Sequence, residues 1–229
     1  MAKGLFITGT GTDVGKTYVT GLLVKKLNDM KMKAAYYKTA MSGNVRDAEG
    51  KLIPGDALAV KTVSGISQDT DSMCPYVYET AVSPHLASRL EGNPVEMQKV
   101  LEGFEALKKD YDYITAEGSG GILCPICFDE AKIQLEDVIK AMNLPCLMIA
   151  DAGLGTINSV VLTYEYMKQK GLECKGIIFN HCHPGDVCEE DNRFMCEYMT
   201  GLKVVAFVKD GDTDLNIDEE TLLGLFREI

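Results

Sequence analysis

Two patterns of apolar positions alternate along the chain. Bursts of four to six apolar residues recur between longer stretches in which apolar positions are spaced by three and four. That alternation predicts a parallel sheet whose strands are joined by helices. Strands are predicted over 4–8, 33–38, 111–116, 145–150, 174–180 and 203–208. The stretch 16–30 predicts a helix with Val19, Leu22, Leu23 and Leu27 on its inner side. Further helices are predicted over 56–63, 84–90 and 95–108, and from the end of the 151–156 loop to about residue 170. The last is expected over 218–229, where Leu222, Leu225, Phe226 and Ile229 keep helical spacing.

With the glycine-rich turn Gly9-Thr10-Gly11-Thr12-Asp13-Val14-Gly15-Lys16-Thr17 between the first strand and the first helix, the fold class is α/β: one P-loop NTPase domain over residues 1–229, a doubly wound, mainly parallel sheet with helices on both faces and right-handed crossovers. In such sheets ligands sit beyond the carboxyl ends of the strands. The loops 9–15, 39–55, 117–125 and 151–158 are therefore expected to converge. The polar stretch 39–55 holds three glycines and a proline, and a loop of that length in a compact domain is usually functional or disordered.

Composition narrows the partners. A net charge of −11 over 229 residues speaks against a nucleic-acid backbone or an anionic membrane as partner. There is no run of 18 apolar residues and no signal-like N-terminus, so a cytoplasmic protein is expected. The eight cysteines then read as reduced thiols.

The densest chemistry is Gly9-Thr10-Gly11-Thr12-Asp13-Val14-Gly15-Lys16-Thr17, between the first strand and the first helix. Backbone N–H groups of a glycine-rich turn at a helix N-terminus cradle phosphates. Lys16 would reach the outer phosphates, and the Thr17 hydroxyl can ligate Mg²⁺. Thr10 stands where the usual pattern has glycine, flanked by Gly9 and Gly11.

Mg²⁺ commonly takes one or two carboxylates together with water and phosphate oxygens. Glu117 closes the apolar run Tyr-Asp-Tyr-Ile-Thr-Ala, the place of a second carboxylate in P-loop proteins. Asp56 follows Pro54-Gly55 and precedes a helix, where either a metal ligand or an N-cap fits. Lys38, ending the second strand, is a surface lysine or a group that neutralises charge on a transferring phosphoryl. Ser42 stands nearby. His181-Cys182-His183 with Cys188 lacks a second ligand pair at zinc spacing. Cys124-Pro-Ile-Cys127 lacks the strand–helix setting of a redox motif. His85, after Ser83-Pro84, is expected to support a turn or helix start.

Taken in order, these residues resemble those of dethiobiotin synthetases. The phosphate loop, Tyr37-Lys38 with Ser42-Gly43, Asp56-Ala-Leu-Ala, Ser83-Pro84-His85, Glu117-Gly-Ser-Gly-Gly, Leu154-Gly155-Thr156-Ile157-Asn158 and Asn180 match that family's motifs over residues 5–180. The resemblance implies ATP- and Mg²⁺-dependent joining of CO₂ to 7,8-diaminopelargonate, closing a cyclic urea to give dethiobiotin, ADP and phosphate. It implies Thr12, Asp13, Val14, Gly15, Lys16, Thr17, Glu117 and Asn180 as the ATP site, Asn180 facing the base. Lys16 and Lys38 would be catalytic, and Thr17, Asp56 and Glu117 the metal ligands. Thr12, Lys38, Ser42, Gly155 and Asn158 would meet the diamine, the last two from the neighbouring subunit of a homodimer. Departures from the family pattern are Asp13 for glutamate, Thr39 for proline, and Ala206-Phe207-Val208-Lys209 where a Gly-x-Ile-Pro turn is usual.

The closest rival is a switch-type ATPase of the partitioning or septum-site kind. Those carry an additional lysine early in the phosphate loop, where this chain has Gly9, Thr10 and Gly11. An amide-forming relative of the cobyrinate amidase type would need a glutaminase domain, for which 229 residues leave no room.

Overall fold

The computed structural model describes residues 1–229. In chain order the strands are β1 (Lys3–Gly9), β2 (Ala34–Lys38), β3 (Val45–Arg46), β4 (Leu52–Ile53), β5 (Tyr113–Glu117), β6 (Pro125–Phe128), β7 (Lys132–Gln134), β8 (Cys146–Asp151), β9 (Cys174–Asn180), β10 (Val204–Phe207) and β11 (Arg227–Glu228). The helices are α1 (Lys16–Asp29), α2 (Gly55–Ser64), α3 (Pro84–Leu90), α4 (Met97–Leu107), α5 (Leu135–Met142), α6 (Thr156–Gln169), α7 (Val187–Thr200) and α8 (Glu219–Gly224).

The main sheet runs β10-β9-β8-β1-β5-β2, all parallel, with β11 antiparallel against the start of β1. Its strands are apolar on both faces because both are covered. Leu5 and Ile7 of β1 join the side built with Val19, Leu22 and Leu23 of α1, Val60 of α2 and Leu222 of α8. Phe6, between them, joins Phe104 of α4, Val138 of α5, Val160 of α6 and Cys196 of α7 on the other side. The predicted strands and the two-sided helical cover are both present. No helix is long and apolar enough to cross a membrane, and all eight cysteines are free.

The C-terminal expectation is corrected. Only Glu219–Gly224 is helical, and Arg227–Glu228 pair with Lys3 and Gly4 instead. The pairing of β8 with β1 begins at Phe6, so the first residues of β1 have a free backbone edge that β11 fills. Phe226 packs edge-on against Tyr113, with ring centroids 5.2 Å apart, and holds the chain end there. Of the two alternatives for the 39–55 stretch, disorder is not the one found. β3 and β4 form a hairpin, its turn held by Asp47, whose Oδ1 accepts from the Glu49 and Lys51 N–H groups. Two helices, α5 and α7, and the β6–β7 hairpin were not predicted.

Candidate active site

Strand register brings the central pair together. Glu117, the last residue of β5, lies opposite Ile7 of β1 on one side and Lys38 of β2 on the other. Both side chains turn into the protein at the carboxyl end of the sheet. Lys38 Nζ donates to Glu117 Oε1 and to Asp56 Oδ2, each at 2.7 Å. Thr17 Oγ1 donates to the same Glu117 Oε1 at 2.8 Å. Glu117 is fully buried, and its other oxygen, Oε2, makes no hydrogen bond within 3.5 Å, nor does the buried Tyr36 hydroxyl, which lies close enough to feel the Glu117 charge. A buried carboxylate oxygen left unpaired is costly unless something else fills the place.

The phosphate loop lies alongside. β1 ends at Gly9, and Gly15, at φ 81°, is the residue from which α1 starts. A Cβ on Gly15 would come within 2.0 Å of Asn180 Nδ2, so the close approach excludes any other residue. Asp13 is itself left-handed, at φ 61°. No acidic residue occupies the first turn of α1, which leaves the positive end of the helix available to an anion. Lys16 is buried and rests on the Gly11 carbonyl, 2.8 Å from its Nζ.

A cavity of about 500 Å³ joins these groups, lined by Thr12, Asp13, Gly15, Lys16, Thr17, Lys38, Ser42 and Asp56 among others. Ser119 ties the 117–121 turn to the second strand's loop by donating to the Ala40 carbonyl at 3.0 Å. The two lysines differ electrostatically. Burial would lower the Lys38 ammonium, but Glu117 and Asp56 outweigh it and hold it above its ordinary range. Burial and the nearby Lys38 push Lys16 down, only partly opposed by Glu117. One lysine is thus locked in an ion-pair network while the other is a poorly compensated cation facing the cavity.

Of the residues singled out from the sequence, Thr12, Asp13, Gly15, Lys16, Thr17, Lys38, Ser42 and Asp56 line one cavity, and Glu117 lies bonded beneath it. The open choice for Asp56 resolves against capping. Pro54 occupies the cap position of α2, Asn44 Oδ1 rather than Asp56 accepts from its first N–H, that of Gly55, at 2.8 Å, and the Asp56 carboxylate is turned to Lys38. Asn180 ends β9 against the loop, donating from Nδ2 to the Val14 carbonyl at 3.2 Å. Gly155 and Asn158 stand exposed at the start of α6, outside the cavity. The His-Cys-His motif is split: His181 bonds Asp151, and His183 bonds Glu189. Cys124 has its thiol pushed up by burial. Four lining residues were not assigned to the site from the sequence: Tyr18, Met41, and Ser119 and Gly120 of the Glu117-Gly-Ser-Gly-Gly turn. Tyr18 follows Thr17 directly and had a positional signal; Met41 had none.

A family model described as an AAA domain matches residues 3–212. The ATP-dependent dethiobiotin synthetase of Brachyspira hyodysenteriae is 46% identical over 99% of this chain and 100% of its own length. That of Clostridium botulinum strain Loch Maree is 43% identical, with both chains fully covered. The chain belongs to the dethiobiotin synthetase family. It is accordingly an ATP-dependent ligase of biotin biosynthesis, one that forms C–N bonds. Among solved structures, the MinC:MinD cell division protein complex of Aquifex aeolicus matches with TM-score 0.54 at 11% identity, covering 91% of this chain and 82% of that one. Chloroplast FtsY of Physcomitrella patens matches at TM-score 0.52 and 15% identity, covering 98% and 65%. Likeness at those identities is one of fold alone, a P-loop α/β sheet, and gives the switch-type alternative no support beyond it.

Proposed function

We propose that the enzyme carboxylates 7,8-diaminopelargonate with CO₂ and closes the product to dethiobiotin at the expense of ATP. The observation that carries the proposal is the Lys38–Glu117–Thr17 network set beside a phosphate loop in one cavity. One amine of the substrate attacks CO₂ and loses a proton, giving a carbamate. A carbamate oxygen attacks the γ-phosphorus and ADP departs, leaving a carbamic–phosphoric anhydride. The second amine attacks the anhydride carbonyl, phosphate leaves, and the ring closes. The substrate supplies both nucleophiles, so no nucleophilic side chain is required. Holding the two amines on one molecule makes closure intramolecular, an advantage of up to about 7–11 kcal/mol in well-oriented systems.

The protein's part is positioning and charge. Backbone N–H groups from Thr12 to Thr17 cradle the phosphates. Lys16 moves from the Gly11 carbonyl to the outer phosphate, and Lys38, kept protonated by its carboxylates, faces the oxygens where charge grows. Thr17, Asp56 and Glu117 form an all-oxygen set that fits Mg²⁺, with the unpaired Glu117 Oε2 as the ready acceptor. Bound there, Mg²⁺ would neutralise charge on the outer phosphates. Thr12 and Ser42 line the diamine side, and Asn180 meets the base. With Mg-ATP and bicarbonate, diamine-dependent ADP release should match dethiobiotin one for one by mass spectrometry. ATP hydrolysis indifferent to the diamine would overturn the proposal.

A homodimer completes it, with Gly155 and Asn158 reaching the partner's substrate. α7 carries Val187, Phe194 and Tyr198 exposed at 78, 63 and 77%, and Leu154 beside Gly155 is 95% exposed. Phe194 and Tyr198 stack on each other, and Asn192 of α7 donates to the Ala152 and Gly153 carbonyls, which ties the turn before Leu154 to the same helix. Sedimentation should return a dimer mass, and Phe194→Glu should shift it toward monomer with diamine KM raised at least tenfold. A monomeric wild type with full activity would remove the partner from the site.

A further inference from the structure

At the carboxyl end of the sheet Asn180 belongs to a polar chain whose other members have no part in the chemistry above. Asp151 ends β8 and Asn180 ends β9, directly opposite one another. His181 follows in the left-handed region at φ 55°, which turns its ring back between them. His181 Nδ1 is 2.9 Å from Asp151 Oδ2, and Asp151 Oδ1 accepts from the Gly153 N–H at 2.8 Å. Those bonds hold the Asp151 carboxyl below the usual range although burial alone would raise it. On its other side, His181 Nε2 lies 3.1 Å from Asn180 Nδ2, whose second contact is the Val14 carbonyl at 3.2 Å. Asp210 Oδ1 stands 3.9 Å from Nε2.

The Val14 carbonyl is the starting point for assigning donors and acceptors along this chain. A carbonyl only accepts, so the nitrogen of the Asn180 amide faces Val14. Its other hydrogen then points at His181 Nε2, which must accept, and the ring proton sits on Nδ1, donating to Asp151. The amide oxygen is left over. Asn180 is 1% exposed and its Oδ1 has no partner.

We propose that His181 is a positioning residue for nucleotide recognition: through Nε2 it fixes the Asn180 amide so that Oδ1 is presented only as an acceptor. The group that suits an acceptor is an amine, as on adenine, whereas a 6-oxo purine would set one oxygen against another. Without His181 the amide loses its second nitrogen contact, and rotation that presents nitrogen to the base is no longer opposed from that side. The inference rests on the reading of Asn180 as the residue that meets the base.

Binding of ADP and inosine diphosphate to the full-length protein, measured by calorimetry, tests it, with inorganic tripolyphosphate as a probe of the phosphate loop alone. Wild type should favour ADP by about tenfold or more. His181→Ala should bring the two within about threefold while tripolyphosphate affinity stays unchanged, an outcome that mere loosening of the fold would not produce. His181→Gln, which keeps a side-chain acceptor, should retain most of the preference and serves where the alanine variant folds poorly. If Asn180→Ala abolishes the preference and neither His181 variant reduces it, the positioning role is overturned and the base contact stands. If Asn180→Ala leaves the preference intact, the base contact fails and the inference fails with it.

Discussion

Lys38→Ala should cost the enzyme at least about 10³-fold in kcat and, separately, a large share of its stability. The activity loss follows from removing a preorganised cation from the place where phosphoryl charge develops, a donor of the kind worth about 10²–10³ in rate by itself. Glu117 keeps only Thr17 of its two donors. The stability loss has a different origin. Lys38 is 6% exposed and Glu117 fully buried, their atoms 2.7 Å apart. Deleting one member of a buried pair leaves the other charge uncompensated, at about 3–5 kcal/mol. For a chain of this size, at about 2–4 °C per kcal/mol, that is a fall in Tm of roughly 6–20 °C with the fold retained.

The two effects separate in a double variant. Adding Glu117→Gln to Lys38→Ala neutralises the stranded carboxylate, so Tm should recover by several degrees while kcat stays at the floor. Thermal melts and single-turnover ADP formation on the four proteins of the cycle measure both. Turnover near that of wild type in Lys38→Ala would take the residue out of the mechanism. No recovery in the double variant would show that the ion pair is not what stabilises this end of the sheet.

The Lys38–Glu117 pair was half legible in the sequence, and the half that was missing is instructive. Each residue closes an apolar burst, so each could be placed at the carboxyl end of a strand. Nothing in the sequence says that β2 and β5 are neighbours, or that their register sets Lys38 opposite Glu117. Strand order is decided by crossover packing between residues far apart in the chain. Asp56 shows the same gap at shorter range. A carboxylate just after Pro-Gly before a helix reads equally as a cap or a ligand, and only the position of Lys38 decides it.

The missed elements have local causes. α5 is short, and its signal was Asp137, whose Oδ2 accepts from the Gln134 N–H at 2.8 Å, with Leu135, Val138, Ile139 and Met142 at helical spacing. α7 reads poorly because its buried stripe is Asn192, Cys196 and Thr200 while Phe194 and Tyr198 face outward, the reverse of the pattern that marks a helix packed on a core. β11 could not be read as a strand because two residues carry no period. Its pairing depends on how far along β1 the neighbouring strand begins. His181 was considered only within a His-Cys-His motif, whereas its significance comes from the strand-end residues on either side of it.

Lys16→Met is expected to remove activity as completely as Lys38→Ala, with the opposite sign on stability. Lys16 makes one side-chain hydrogen bond, to the Gly11 carbonyl, and no ion pair. Burial and Lys38 hold its ammonium below the ordinary lysine range, so the unfolded chain binds that proton more readily than the folded one. Stability therefore rises as pH climbs through the folded pKa toward the unfolded value near 10.5, and below that window the charged form is a penalty. Methionine keeps the buried stem and discards the charge. At neutral pH its Tm should equal or exceed that of wild type in the absence of nucleotide, and the difference should shrink as pH approaches 10. With nucleotide the order reverses, because wild type gains binding energy that the variant cannot, and kcat should fall by about 10³-fold or more. A Tm several degrees below wild type at neutral pH would assign Lys16 a structural role. Near-normal turnover would leave the outer phosphates to Lys38 and the backbone of the loop.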